Sequence, residues 1–305
     1  MNASTTVAIS LEALAARMER LDTIPSVPAI LLPLLRYLDV PIEDVDVPKV
    51  VDLVSHDKSL AAQCLHMANS PLFGRWHNID TVRGAVVALG ISRVRDIAMS
   101  CCVLKLLPND RTCVDPRVFW EHSLGVALVS RRLARRVGFR DPEKAYLAGL
   151  LHDLGIVANL LLLPDEFDEV AHHSFAQHLP FDAAESKLIG LTHSVTGALL
   201  AEHWQLAPDL SEVIRRHHDV QNASLYRGLV ALVHIGDLIC RHCGLGYGFS
   251  EQPAQDIASA PAWAILAEEC PAVRRFGADR FIGELDMYVS EVRRLVAVLF
   301  RLDNN

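Results

Sequence analysis

The stretch Gly149-Leu150-Leu151-His152-Asp153-Leu154-Gly155 sits inside a nearly unbroken apolar run, Ala145 to Leu163. Apolar residues on all sides read as a buried helix. A histidine beside an aspartate at that depth must be neutralised, because burying a lone carboxylate costs several kcal/mol. A metal ion supplies the opposing charge. A buried arginine or a hydrogen-bond network is the other solution. The run is also long enough to cross a membrane. Yet His152, Asp153 and Asn159 within it make a core helix with a polar site the better reading, and no membrane association is expected.

Outward from this stretch, the 305 residues read as helices separated by Pro, Gly and capping residues, with no convincing strand alternation. Hydrophobic residues make up 51% and aromatics only 6%, so Leu, Val, Ala and Ile must fill the core, which suits close-packed helices. The expected fold is all-α and two-lobed. An N-terminal helical bundle takes residues 1–110, a second helical lobe takes 111–243, and C-terminal helices take 244–305. Single helices are predicted over Arg117 to Val137, Glu143 to Leu163 and Phe181 to Trp204.

The net charge of −8 argues against direct binding to nucleic acid. Arg131, Arg132, Arg135 and Arg136 share one side of a helix and read as a solvated face. The seven cysteines form no framework, and Cys240 and Cys243 are a lone C-x-x-C without a second ligand pair. With no signal peptide read at the N-terminus, a reduced cytoplasmic setting is expected.

Other histidines and carboxylates give His152-Asp153 company. His122 precedes it, His193 and the pair His217-His218 follow, and Asp237 lies in a later apolar helix. These helices could converge at one end of a bundle, as in bundle metal sites. Imidazole with carboxylate suits iron, manganese, zinc or nickel rather than calcium. Adjacent helix residues point about 100° apart, so His217 and His218 both serve only near a helix end. Glu185 is a further candidate, although an exposed helix position is the simpler expectation.

Residues 110–240 resemble the HD phosphohydrolase superfamily, whose pattern of His, His-Asp and late Asp matches His122, His152, Asp153 and Asp237. His193 and His217-His218 resemble the fuller ligand set of the HD-GYP cyclic-dinucleotide phosphodiesterases, which hold two or three metals. Ile24-Pro25-Ser26-Val27-Pro28 and Leu65-His66-Met67-Ala68-Asn69-Ser70-Pro71-Leu72-Phe73-Gly74 resemble the signalling-output relatives of those enzymes, the HDOD (HD-related output) proteins. Phe119-Trp120-Glu121-His122-Ser123 and Gly197-Ala198-Leu199-Leu200-Ala201-Glu202-His203-Trp204 do likewise.

The resemblance implies a divalent metal, iron, manganese or zinc, as one or two ions on His122, His152, Asp153, His193, His217, His218 and Asp237. It implies a regulatory output acting through a signalling protein partner or a small ligand, with metal-dependent phosphoester hydrolysis as the alternative. Two departures bear on the alternative. Ile156 stands where the HD-GYP enzymes carry lysine, and Asp219-Val220-Gln221-Asn222 follows the histidine pair without a Gly-Tyr-Pro signature.

Overall fold

The structure, a computed structural model, describes residues 9–20, 33, 44–69, 79–104, 106, 113–247, 257–285, 289–290, 292–294 and 296–297. Among the described residues there are helices and turns and no strand. The apolar segment Ile30 to Leu38, which the sequence predicts as a short helix, lies almost wholly outside them.

The chain forms two compact units. One takes residues 23–107 and 291–305; the other takes 1–22 and 108–290. The contacts change unit near residue 108, but the opening helix joins the second unit rather than the first lobe expected at 1–110. Its attachments are local and specific. Ile9 N donates to Ile189 O at 2.9 Å. Arg17 Nη1 donates to Leu162 O at 3.1 Å and to Glu166 Oε1 at 3.2 Å. The C-terminal residues divide between the units in the same way.

In the first unit, α2 (Val47–His56), α3 (Lys58–Ala68), α4 (Val82–Leu89) and α5 (Ile91–Leu104) are short amphipathic helices, numbered after α1 (Leu11–Arg20). Thr81 caps α4 through Gly84 N at 3.0 Å, and Gly90 ends it at φ +82. Ala68, Ala85 and Val94 form a small core with Ile79, Val86 and Leu89 against it. Asn69 ties two segments: its side chain donates to Leu65 O and Ile79 O and accepts from Ile79 N, at 2.7–2.8 Å.

The second unit is built on α6 (Pro116–Val137) and α7 (Pro142–Leu151). Asp115 and Asp141 cap them, and Gly138 turns between them at φ +73. Then follow α8 (Leu154–Leu162), α9 (Pro164–Gln177), α10 (Phe181–Leu188), α11 (His193–His203), α12 (Pro208–Arg216) and α13 (Arg227–His242). After these come α14 (Pro261–Glu269) and the short α15 (Ala278–Gly283). Two helices predicted as continuous are each broken. The run from Glu143 to Leu163 turns at His152-Asp153, and that from Phe181 to Trp204 breaks at residues 189–192. Both breaks create the helix ends on which the site is built.

The most apolar 18 residues of the stretch Pro142–Leu162 are 94% buried, which marks it as a core element. The four arginines of α6 lie on a solvent-side face, as read from the sequence, and all four are ion-paired. Arg131 and Arg135 pair with Glu143, and Arg132 and Arg136 with Glu284. Arg131 also lies over the Tyr146 ring. The face is solvent-side, but its charge is matched.

Candidate metal centre

Asp153 sits in the turn between α7 and α8, 3% exposed and surrounded by imidazoles. His122 comes from the middle of α6, His152 from the end of α7, His193 from the first residue of α11, His217 and His218 from the end of α12, and Asp237 from α13. All seven residues singled out in the sequence meet. Their ligand atoms fall into two groups, Asp153-His193-His217-His218 and His122-His152-Asp237, each within 4.8 Å of one another. His217 and His218 both take part, and both lie at the C-terminal end of α12, the helix-end position that the sequence reading required.

A close helix crossing brings the pieces together. Gly155 on α8 meets Gly197 and the backbone of His193 on α11; a Cβ on Gly155 would lie 1.7 Å from His193 O. Glycine at both positions lets α11 present His193 to Asp153.

The ring orientations are fixed from behind. His122 Nδ1 donates to Leu245 O at 2.7 Å, His152 Nδ1 to Gly149 O at 2.7 Å, and His217 Nδ1 to Ile214 O at 2.9 Å. A carbonyl only accepts, so each Nδ1 carries hydrogen and each Nε2 is left for the centre. Glu185 does the same for His193: its Oε2 accepts from His193 Nδ1 at 2.7 Å and from His193 N at 2.8 Å, while Oε1 accepts from Asn159 Nδ2 at 2.9 Å. Glu185 is 0% exposed. The expectation of an exposed helix position is therefore wrong: the break after α10 folds this carboxylate under α11.

The Nε2 atoms then face each other. His122 and His152 lie 3.2 Å apart, His193 and His217 3.4 Å, and His193 and His218 3.0 Å. Between two facing Nε2 atoms only one can donate. Asp153 Oδ2 is 3.1 Å from His152 Nε2 and 3.4 Å from His122 Nε2; Oδ1 is 3.3 Å from His217 Nε2 and 3.4 Å from His193 Nε2. None of these Oδ1 contacts is aligned as a hydrogen bond, so a buried carboxylate oxygen is left unsatisfied. Convergent imidazole nitrogens around an orphaned carboxylate oxygen fit a divalent cation, and these buried groups can hold one.

Electrostatics divide the donors. Burial opposes charge on His122, but the carboxylates of Asp153 and Asp237 outweigh it and push the ring up to about 10. His193 likewise rises against its burial to about 9, through Glu185 and then Asp153. Burial, aided by His152 and His193, carries His217 down to about 4 against the pull of Asp153. His218 is lowered well below its ordinary range by burial, His217 and Arg241. Burial raises Asp153 and Asp237, but the imidazoles around Asp153 and the guanidinium of Arg241 with His122 beside Asp237 hold both far below the usual carboxylate range.

Two residues that the sequence reading passed over complete the centre. Arg241, one turn beyond Asp237 on α13, makes a two-point pair with it: Nε donates to Oδ1 at 2.7 Å and the terminal NH2 to Oδ2. The same NH2 lies 3.4 Å from His218 Nδ1. Tyr247 OH donates to Asp153 Oδ2 at 2.7 Å, with its ring 4.7 Å from that of His122. The signals were present as i,i+4 spacing and as an aromatic in the Gly-rich break, but both patterns are ordinary on surfaces. His172 and His178 are exposed, and His173 is half-buried with Lys187 Nζ 3.1 Å from its Nε2.

Residues 24–220 match the HDOD domain family. A crystal structure of an HDOD domain protein of unknown function from Geobacter sulfurreducens aligns at TM-score 0.81 and 30% identity, over 94% of this chain and 96% of that one. A candidate phosphohydrolase from Shewanella amazonensis aligns at TM-score 0.69 and 24% identity, over 93% and 98%, which shows a shared fold. An uncharacterised Treponema pallidum protein is 25% identical over 225 residues, 73% of this chain; the match spans 43% of that relative's length.

Proposed function

The chain belongs to the HDOD family, and from that premise we propose that it is a signalling output module whose second unit carries a two-ion divalent metal centre. It acts through a protein partner or a small ligand, in the cytoplasm. One observation carries the metal: Nε2 atoms locked from behind converge on Asp153, whose Oδ1 has no hydrogen bond.

Asp153 reaches both donor groups, since Oδ2 faces His122 and His152 while Oδ1 faces His193 and His217. It is the residue that would be shared. The mixed imidazole and carboxylate set favours iron, manganese or zinc.

Phosphoester hydrolysis is the second reading, favoured by both donor groups being complete. A bound divalent ion supplies charge against a phosphoryl oxygen and activates water. Asp153 and the rings would orient the ions, and Tyr247 would hold a proton at Asp153 Oδ2. Ile156, 1% exposed, offers no cation and weakens the cyclic-dinucleotide version.

The test is elemental mass spectrometry on tag-free protein purified without chelator. About one to two equivalents of iron, manganese or zinc, lost in Asp153→Ala, are expected. No metal as purified and none after reconstitution would refute the centre.

A further inference from the structure

Arg241 stands between the two donor groups. Its guanidinium pairs with Asp237 of one and touches His218 of the other, and its side chain is 29% exposed while Asp237 is 1% exposed. The head of the side chain thus lies at the boundary between the buried donors and solvent. Tyr247 adds a hydroxyl donor on Asp153 Oδ2. Both groups hydrogen-bond the carboxylates that a divalent ion would use. A carboxylate oxygen that becomes a metal ligand gives up electron density to the ion, and its hold on a guanidinium weakens accordingly. Arginine donates in a planar fork whose geometry suits two oxygens of a phosphoryl group as well as two of a carboxylate.

We propose that Arg241, assisted by the Tyr247 hydroxyl, is the anion-recognition group of this centre. In metal-free protein it holds Asp237; when ions occupy the donors, it turns its fork to the oxygens of a phosphoryl ligand. This rests on the metal reading above. It makes binding ordered, with metal first and anion second. It also gives one residue two opposed effects: Arg241 competes with metal for Asp237, yet strengthens the anion that follows. A residue that merely braced α13 would not produce effects of opposite sign.

The experiment uses the full chain, stripped with chelator, reloaded with Mn2+, and titrated calorimetrically with inorganic phosphate. Metal content is measured separately on every sample. Native protein binds phosphate only when loaded. Arg241→Gln takes up Mn2+ at least as tightly as native and binds phosphate about tenfold or more weakly. Tyr247→Phe shows a smaller loss at unchanged metal content. Arg241→Lys, which keeps the charge but not the fork, falls between native and Arg241→Gln.

Unchanged phosphate affinity in Arg241→Gln would overturn the proposal, as would loaded native protein that binds no phosphate; both leave the metal centre standing. Loss of Mn2+ from Arg241→Gln would also overturn it, by making the residue a structural brace. Native protein that takes up no Mn2+ would refute the metal reading itself and this inference with it.

Discussion

The two donor groups are built alike and backed oppositely. His122-His152-Asp237 has a cation against it, because Arg241 occupies both oxygens of Asp237. Asp153-His193-His217-His218 has an anion behind it, because Glu185 holds His193 from its far side. An ion entering the first group must displace a guanidinium. An ion entering the second finds a carboxylate oxygen, Asp153 Oδ1, with no hydrogen bond to displace, and a ring held in place by Glu185. The difference teaches that equal ligand chemistry need not mean equal affinity: the second group should fill first.

Asp153→Ala gives the largest expected effect. It removes the oxygens shared by both groups, so both ions are lost, as elemental analysis would show; retention of one full equivalent would mean the groups are independent. Next comes Glu185→Gln, which keeps the shape of this positioning residue and removes its charge. Metal affinity of the second group should fall by about 10- to 100-fold, with the first group nearly untouched. An equal loss in both groups would erase the asymmetry.

The pH dependence is smaller and has a defined sign. His122 and His193 are raised from 6.5 to about 10 and about 9. In metal-free protein their contribution to stability is fully present below about 6.5 and lost as pH rises through about 9 and 10. Asp153 and Asp237 are lowered from 3.8, so their contribution is present above about 3.8 and lost as pH falls through their folded values. One raised ring belongs to each group. An ion bound at either group would therefore expel one proton, and its affinity should rise about tenfold per pH unit between about 6.5 and 9. Calorimetry in buffers of different ionisation enthalpy counts the protons.

The smallest effect is on stability. Arg241→Gln leaves Asp237 with less compensation in metal-free protein and should cost about 1 to 2 kcal/mol, discounted because the guanidinium is partly solvated. Metal-loaded protein should show little change in Tm.

The seven residues that converge were legible in the sequence because buried His and Asp in apolar helices have few inexpensive explanations. Their neighbours were not. The turn at His152-Asp153 hides in an apolar run that carries no Pro or Gly at the break, so periodicity alone reads one helix. Glu185 lies on a short helix with Asp182 and Lys187, and nothing local distinguishes the carboxylate that tertiary folding buries. Arg241 reads as a surface i,i+4 partner of Asp237, and only the convergence of α12 and α13 shows what it covers. For His152-Asp153 the sequence left open a metal, an arginine or a hydrogen-bond network; the structure puts an arginine on Asp237 instead and leaves Asp153 Oδ1 without a hydrogen bond.

The most direct test of two unequal metal sites is calorimetric titration of chelator-stripped protein with Mn2+. Two separable uptake events are predicted, with the tighter one weakened selectively by Glu185→Gln and the weaker one strengthened or unchanged by Arg241→Gln. No uptake, or a single event on which both substitutions act alike, would contradict it.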